Sequence, residues 1–435
     1  MTQFAHFTYH DNRLFCEDCD LERIVKKTGT PVYIYSYRAL CEQFQSFASA
    51  FESHKHLVCY SMKANSNQAI LNTLFNLNCG ADVVSGGEIK RALLAGCDPQ
   101  KIVYSGVGKT EQEIAYALDQ NILMFNIESQ QELLLIQSIA KTKNKVASIS
   151  VRVNPNVDAK THAYISTGMK KNKFGVNHQA ALQIYQQALV CDHINPVGIS
   201  CHIGSQITQT QPFADAMIIL TKVLHDVKNM SISINYIDVG GGLGIRYRDE
   251  IIPSAQEYAN SILGPLKDFG ATLITEPGRF LVGNAGILVT RVLYQKQGET
   301  SDLFTIVDSA FNDLKRPMLY GAYHEIVPVI KSATDALIPT NIEGPICETG
   351  DRFAKQRPLP PLKQNDLLAI MSTGAYGMSM ASTYNSRPRA PEVLVKDDNF
   401  FIIRERETIE DMLASEKVPD FILQMPPRCP KASTV

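Results

Sequence analysis

From Leu57 onward the chain alternates between two textures. Eight short β-rich runs read LVCYSMKAN, GADVVSG, IVYSGVG, ILMFNIES, SISVRVNP, VGISCHIGS, NYIDVGGG and TLITEPGRF. Between them lie QAILNTLFNL, GEIKRALLAG, EQEIAYALDQ, QELLLIQSIA, AALQIYQQAL, FADAMIILTKVLHDV and AQEYANSILGPLKDF, whose apolar residues recur at three- and four-residue steps, as helices require. Such alternation implies parallel strands joined by right-handed crossovers. Eight repeats close a (β/α)8 TIM-type barrel, and an open doubly wound sheet is the alternative.

After Phe280 the rhythm changes. GILVTRVLYQKQG, LFTIVDSAFND, DLLAIMSTGAY and EVLVKDDNFFIIRERET read as strands without regular helices between them, a second, mostly antiparallel β domain. The expected organisation is an N-terminal segment over 1–35 (RLFCED, PVYIYS) adding strands to the β domain, and a barrel over 36–281. The β domain then covers 282–425, and a frayed tail 426–435.

A chain of 435 residues is too long for one ordinary core and comfortable as two domains. With 20% charged residues, scattered basic side chains and a net charge of −2, nothing forms an electrostatic footprint for nucleic acid or an anionic membrane. No apolar run reaches the roughly 18 residues of a membrane helix. MTQFAHFTYHDNRLF lacks the basic and apolar regions of an export signal, so cytoplasm is the expected compartment. The ten cysteines are spread singly except for Cys16 and Cys19 in CEDC, a weak zinc signal without a second pair or nearby histidines, and free thiols suit the spacing better. No metal site is expected.

Polar residues and glycines cluster where the barrel strands end. Lys63 closes the first strand; Asp82 and Ser85 lie on the second, Arg152 and Asn154 on the fifth, and His202 and Ser205 on the sixth. Gly240, Gly241 and Gly242 end the seventh strand, and Glu276 and Arg279 the eighth. In a barrel all of these converge on the C-terminal rim, where such folds place their sites. Two apparent nucleotide motifs fail: SGVGKT would need glycine at position 103, which is Val103, and DVGGGLGI breaks the dinucleotide pattern at Ile245. A glycine turn after a strand can still cradle a single phosphate. Lys63 is awkward as an ammonium at the mouth of a buried strand. A lysine that forms a Schiff base, a phosphate cradle, a histidine and a carboxylate for a pyridine nitrogen together point to pyridoxal 5'-phosphate (PLP).

These residues resemble the fold-type III PLP-dependent decarboxylases, and among them the diaminopimelate decarboxylases, from about Pro31 to about Val395. YSMKANSN is similar to the family's lysine motif, HIGSQI to its ring-stacking histidine and phosphate serine, DVGGGLGI to its phosphate turn, and EPGRF to the segment bearing its pyridine carboxylate. NPNVDAKTHAYISTGMKKNKFG at 154–175 resembles the long specificity loop, and FNDLKRPMLYGAYH, CETGDRF and GAYGMSMASTYNSRPR follow in the family's order. The resemblance implies cofactor contacts from Lys63, Asp82, His202, Ser205, Gly241, Gly242, Glu276, Gly278, Arg279 and Tyr376. It implies that Arg279, Arg316 and Tyr320 hold substrate carboxylates, that Glu348 reads a distal amino group, and that Tyr376 touches phosphate and substrate. Lys63 and Cys347 become the catalytic pair, Cys347 protonating the product carbon; a thiol titrates within the useful range for this. Thr349 replaces a more usual serine, and Ala390–Pro391 a proline–alanine.

The implied reaction is decarboxylation of meso-2,6-diaminopimelate to L-lysine and CO2, the last step of lysine biosynthesis, in a homodimer whose subunits share their active sites. Glu276 in place of an arginine favours a protonated ring and hence decarboxylation over racemisation. Other decarboxylases of the family, acting on ornithine, arginine or carboxynorspermidine, remain rivals, as does a PLP-binding protein without turnover. A metal-dependent barrel hydrolase would want further His and Asp/Glu partners for His202.

Overall fold

The computed structural model describes residues 6–158, 173–299 and 302–423. The specificity-loop residues 159–172 and the expected tail 426–435 lie outside the described residues.

The eight β-rich runs form a closed parallel barrel. Its strands are, in chain order, His56–Ser61, Gly80–Val83, Ile102–Tyr104, Met124–Ile127, Ala147–Arg152, Ile194–Ser200, Tyr236–Asp238 and Thr272–Thr275. The eighth strand pairs with the first in the register Leu273↔His56, Ile274↔Leu57 and Thr275↔Val58, which shuts the ring. Cys59, Val103, Met124, Val197 and Ile274, from five different strands, pack into a cluster of their own, consistent with the filled interior of such barrels.

Seven helices link the strands: Gln68–Asn76, Gly86–Leu94, Glu111–Gln120, Gln130–Thr142, His178–Ala188, Gln211–Asn229 and Ala255–Leu266. Six of them begin at a side chain that accepts a backbone N–H: Asn67, Ser85, Thr110, Ser129, Asn177 and Ser254. Such caps satisfy donors that a helix leaves unpaired at its start. Ser85, read from sequence as a rim residue, is spent in this way on the Glu88 N–H. A further helix, Tyr37–Ser49, precedes the first strand and packs against the last of these, Ala255–Leu266, and the short Arg279–Val282 helix.

The second domain is a nine-stranded sheet. Its main path runs Arg352–Leu359, Ile338–Glu343, Leu303–Val307, Gly286–Gln297, Val32–Ser36, Glu392–Lys396, Asn399–Arg404, and Leu367–Ile370 with Ile326–Pro328 branches from Gly286–Gln297. Most neighbours are antiparallel. Two are parallel, Leu303–Val307 with Ile338–Glu343 and Val32–Ser36 with Glu392–Lys396. Long connections, in the second case the entire barrel, separate these partners and remove the need for a hairpin.

The N-terminal segment behaves differently from the expectation. Only Val32–Ser36 hydrogen-bonds into the large sheet as a strand. Phe7–His10, Arg13–Cys16 and Cys19–Asp20 form a separate antiparallel meander. It attaches through side chains, Phe7, Leu14, Cys16 and Cys19 packing with Ile34, Ile287 and Val393. It attaches also through backbone bonds from Leu14 N–H to Val329 O and from Lys331 N–H to Asn12 O, each 2.8 Å, about a single bridge between Arg13 and Ile330. The pairing with the β domain stops at that one bridge, and the apolar face of the meander joins the common core.

Barrel and sheet meet where the chain crosses between them. Gly374 donates its N–H to Gly283 O at 3.0 Å and accepts from Asn65 Nδ2 at 3.2 Å. A methyl group at Gly374 would lie 1.9 Å from Val282 O, a backbone atom on the other side of the junction. Gly374→Ala is therefore expected to destabilise the protein by about 3 kcal/mol. A urea midpoint equal to that of the unsubstituted chain would contradict this packing.

Candidate active site

At the C-terminal rim the strand ends enclose a cavity of about 280 Å3, lined among others by Lys63, Asp82, Ser105, Asn126, Arg152, Phe174, His202, Ser205, Asp238, Glu276, Arg279, Arg316, Tyr320 and Tyr376. Barrel residues form the floor; Arg316, Tyr320 and Tyr376 enter from the β domain.

Lys63 sits in the turn Met62–Ala64 that follows the first strand. Its side chain is 43% exposed and lines the cavity, and Nζ lies 3.7 Å from Asp82 Oδ2. Burial pulls the ammonium's pKa down most strongly, but Asp82, Tyr376 and Glu276 together outweigh it, and the net shift is upward. Asp82 is held by the Ser61 hydroxyl at 2.6 Å through Oδ2, while its buried Oδ1 has no hydrogen-bond partner.

Two more acids share the floor. Glu276 is buried, and burial first, then the charges of Asp238 and Asp82, push its carboxyl well above the usual range. Asp238 is pushed up to about 6, mainly by burial, although hydrogen bonds from Glu276, Asn126 and Gly240 pull the other way. Three buried carboxyl groups thus face the single ammonium of Lys63, a floor that favours the arrival of further positive charge.

His202 accepts the Gly241 N–H on Nδ1 at 3.1 Å, and burial, with Arg152 and Lys63 nearby, holds its pKa far below the ordinary value. A neutral imidazole is thereby presented to the cavity. The glycine turn is tightly fitted: a side chain at Gly241 would lie 2.1 Å from Glu276 O, and Gly242 has φ +116° with only 2.5 Å to Gly204 O. Two of its three amides are engaged within the protein, Gly240 on Asp238 Oδ1 and Gly241 on His202. Gly278 faces Ser61 and Ala64, where a side chain would be crowded, 3.0 Å from Ser61 Cβ and 3.3 Å from Ala64 Cβ.

The mouth is cationic. Arg279 is buried and donates to Tyr247 Oη at 2.7 Å and to Ser205 Oγ at 3.0 Å. Arg316, also buried, donates from Nη1 to His324 Nε2 at 2.7 Å. Both guanidinium groups lie over the Tyr247 ring, at 5.8 and 4.5 Å, and Arg279 also lies 4.8 Å from the Tyr376 ring. The Nε atoms of both arginines are buried without a hydrogen-bond partner. Unpaired donors of this kind fit an anion.

Cys347 and Glu348 do not join this cavity. Both are exposed, on a loop beside the Arg316–Tyr320 helix, where a side chain at Gly350 would lie 3.4 Å from Met318 Cγ. The Cys347 N–H donates to Asn385 Oδ1 at 3.1 Å. Conversely, Tyr247, His324, Asp238, Asn126 and Ser105 serve the site without having been read as site residues in the sequence. His324 closes the motif FNDLKRPMLYGAYH and Asp238 opens DVGGGLGI, so both stood inside recognised segments; Tyr247 carries no such signal.

Among the described residues no cluster of three or more His, Cys, Asp or Glu could hold a metal ion, and no helix is long and apolar enough to cross a membrane. The floor and mouth instead fit PLP: a cation-seeking end, a reachable amine, and a serine with a glycine turn and an arginine for phosphate. Comparison with known proteins decides the family. Residues 37–283 match the pyridoxal-dependent decarboxylases over their pyridoxal binding domain. The chain belongs to this family.

Its relatives among these decarboxylases are similar over almost their whole length. A diaminopimelate decarboxylase of Pseudomonas aeruginosa is 46% identical over 412 residues, covering 95% of this chain and 99% of the relative. The crystal structure of diaminopimelate decarboxylase from Helicobacter pylori complexed with L-lysine matches with a TM-score of 0.88 at 43% identity, covering 91% of this chain and 98% of that one. A second such enzyme, from M. jannaschii in complex with L-lysine, gives 0.92 at 37% identity over 97% of this chain and all of its own. The chain is thus a PLP-dependent decarboxylase with the barrel and β domain of that family.

His202 and His324 are both held neutral, His324 accepting from Arg316 and donating Nδ1–H to Met371 O at 2.8 Å. Each binds fewer protons folded than unfolded, so the stability they confer is complete above the unfolded histidine value of about 6.5 and is lost as pH falls below it. Urea unfolding is expected to show this acid decline, and His324→Gln should make it shallower. An unchanged slope would remove His324 from the account.

Proposed function

We propose that this decarboxylase converts meso-2,6-diaminopimelate to L-lysine and CO2, closing lysine biosynthesis. The observation that carries the reading is the pair of buried arginines stacked on one tyrosine at the mouth of a lysine-bearing cavity. Two guanidinium forks suit a substrate with two carboxylates, and ornithine has only one. The names of the relatives support the same substrate.

Bound PLP supplies the electron sink for the charge left on carbon when CO2 departs. The protein's own groups do the rest. Lys63 is the amine that would hold the cofactor aldehyde and would give way there to the substrate amine. His202, neutral, would support the cofactor ring, and Ser205 with the Gly240–Gly242 turn would hold its phosphate. Glu276 keeps the ring nitrogen protonated, with Asp82 as a further anion beside Lys63. Arg279, Arg316 and Tyr320 hold carboxylate, and Tyr376 closes over phosphate and substrate. Cys347 returns a proton to the carbon, and Glu348 binds the distal ammonium and rejects its absence.

For the last two to act, their exposed loop must reach a cavity other than its own. A homodimer with shared sites meets that requirement, and the position of Cys347 and Glu348 outside the lining of their own chain's cavity supports it. The cytoplasm is the proposed compartment.

Purified protein with PLP is expected to release lysine from meso-diaminopimelate and to leave ornithine and arginine essentially untouched. Borohydride followed by peptide mapping should place the pyridoxyl label on Lys63. Glu348→Gln is expected to lower kcat/KM about a hundredfold, because an amide cannot balance the charge of the substrate's distal ammonium. Lys63→Ala and Cys347→Ala should each be inactive alone and regain activity when their subunits are mixed. Failure of exchanged subunits to recover would disprove shared sites, and turnover of ornithine at equal rate would disprove the substrate.

A further inference from the structure

The floor of the cavity contains a carboxyl pair that the reaction as described uses only by half. Asp238 and Glu276, at the ends of the paired seventh and eighth strands, are 1% and 8% exposed, line the same cavity floor and are linked through Asn126 and Ser105. Each shifts the other, the carboxyl of Glu276 upward and that of Asp238 downward, as a shared proton would. Two carboxyl groups can share a hydrogen bond only if one of them keeps a proton.

Their other partners say which one. Asp238 accepts two N–H donors, Gly240 N on Oδ1 at 2.9 Å and Asn126 Nδ2 on Oδ2 at 2.8 Å. Asn126 Nδ2 also reaches Ser105 Oγ at 3.1 Å, and Ser105 makes only a long 3.4 Å contact with Glu276 Oε1. Donors favour the charged form of the group they point at. Asp238 is therefore the carboxylate, and Glu276 is the acid that donates to it.

We propose that Asp238 is a positioning residue for the cofactor ring, holding one proton in common with Glu276 so that the protein itself supplies the proton of the ring nitrogen. In the free protein Glu276 is a neutral acid. When PLP enters with an unprotonated nitrogen, Glu276 hands its proton to that nitrogen and becomes its carboxylate partner, while Asp238 stays ionised behind it. Joining the Lys63 ammonium to the aldehyde releases water and no net proton, so the loaded site has gained nothing from solvent. The groups facing Glu276 from the surrounding elements are Lys63, Asp82, Asp238, Cys59, Cys201 and Tyr258. The two thiols and the phenol are held neutral by burial, and Asp82 is engaged by the Ser61 hydroxyl at 2.6 Å and the Lys63 ammonium at 3.7 Å, which leaves Asp238 as the acid that can share the proton.

The inference rests on the PLP reading above, and its test does not use turnover. Apoprotein is titrated with PLP by calorimetry, in buffers of different ionisation enthalpy, at an alkaline pH where the free ring nitrogen has lost its proton. The unsubstituted chain is expected to bind with no proton taken from buffer and with an affinity that stays flat with pH. Asp238→Asn should release the shared proton from Glu276. It should then take up one proton per site and lose affinity about tenfold for each further pH unit. Nitrogen-15 resonances of labelled PLP should show the ring losing its proton at lower pH in Asp238→Asn than in the unsubstituted chain. Uptake of one proton by the unsubstituted protein overturns the proposal, and this arm requires no variant to fold. So does a folded Asp238→Asn chain with unchanged proton count and ring resonance. A protein that takes up no PLP at all would instead sink the cofactor reading, a separate outcome.

Discussion

Barrel closure decides what the rest of the molecule can do. The eighth strand must lie beside the first, and this brings the segment after Thr275 against the segment after Ser61. Ser61 donates its N–H to Pro277 O at 3.1 Å and its hydroxyl to Glu276 O at 3.1 Å as well as to Asp82. Lys63 and Glu276, from opposite ends of the barrel sequence, become neighbours through this seam. Every other floor residue is placed by the same ring of parallel pairings, so a slip of register at the seam would disperse the whole site.

Within that ring the charges are sorted. Asp82, Asp238 and Glu276 lie at the floor, and Arg152, Arg279 and Arg316 toward the wall and mouth. A molecule with a cationic nitrogen at one end and anionic groups elsewhere is turned one way round before any close contact forms. Like charges would ordinarily resist crowding. Tyr247 relieves this at the mouth by offering the π-system on which both guanidinium groups rest. On the wall, Arg152 is balanced by Glu128 at 2.9 Å and covered by the Phe174 ring at 4.9 Å. Glu128 in turn accepts the Gly175 N–H at 2.7 Å, so the base of the specificity segment is pinned to the same cation.

Sequence reading reached the parts of this arrangement that obey a period. The barrel strands are short β-rich runs, mostly buried, and their helices carry a repeating stripe and a polar cap; both patterns survive in one dimension. Residues 7–20 were harder, since short strands joined by tight turns look the same whether they extend a sheet or lie on it. Lys63, His202 and Glu276 were legible because each is an oddity at a strand end. Tyr247 was not, for a tyrosine between two arginines in GIRYRD is unremarkable until Arg279 and Arg316 arrive from elsewhere. Asp238 was hidden by ambiguity of a different sort: an aspartate before glycines is an ordinary turn residue, and only burial reveals it as half of a proton-sharing pair.

The exposure of Cys347 is a matter of presentation. Just behind it, buried Asp351 accepts the Ile346 N–H at 2.8 Å and the Phe311 N–H at 2.7 Å. One carboxylate thus ties the loop that displays Cys347 and Glu348 to the segment that leads into Arg316. Burial raises the pKa of Asp351, and the two N–H groups oppose that shift. The thiol is therefore held out on a fixed base, and a side chain at Gly344 would strike the Asp351 carboxylate. If that thiol works in a neighbouring cavity, as proposed, the clamp joins the arginine that grips substrate in one cavity to the acid that serves the other. The orientation of each half-site is then set by the fold of one chain, and assembly has only to bring two finished halves together.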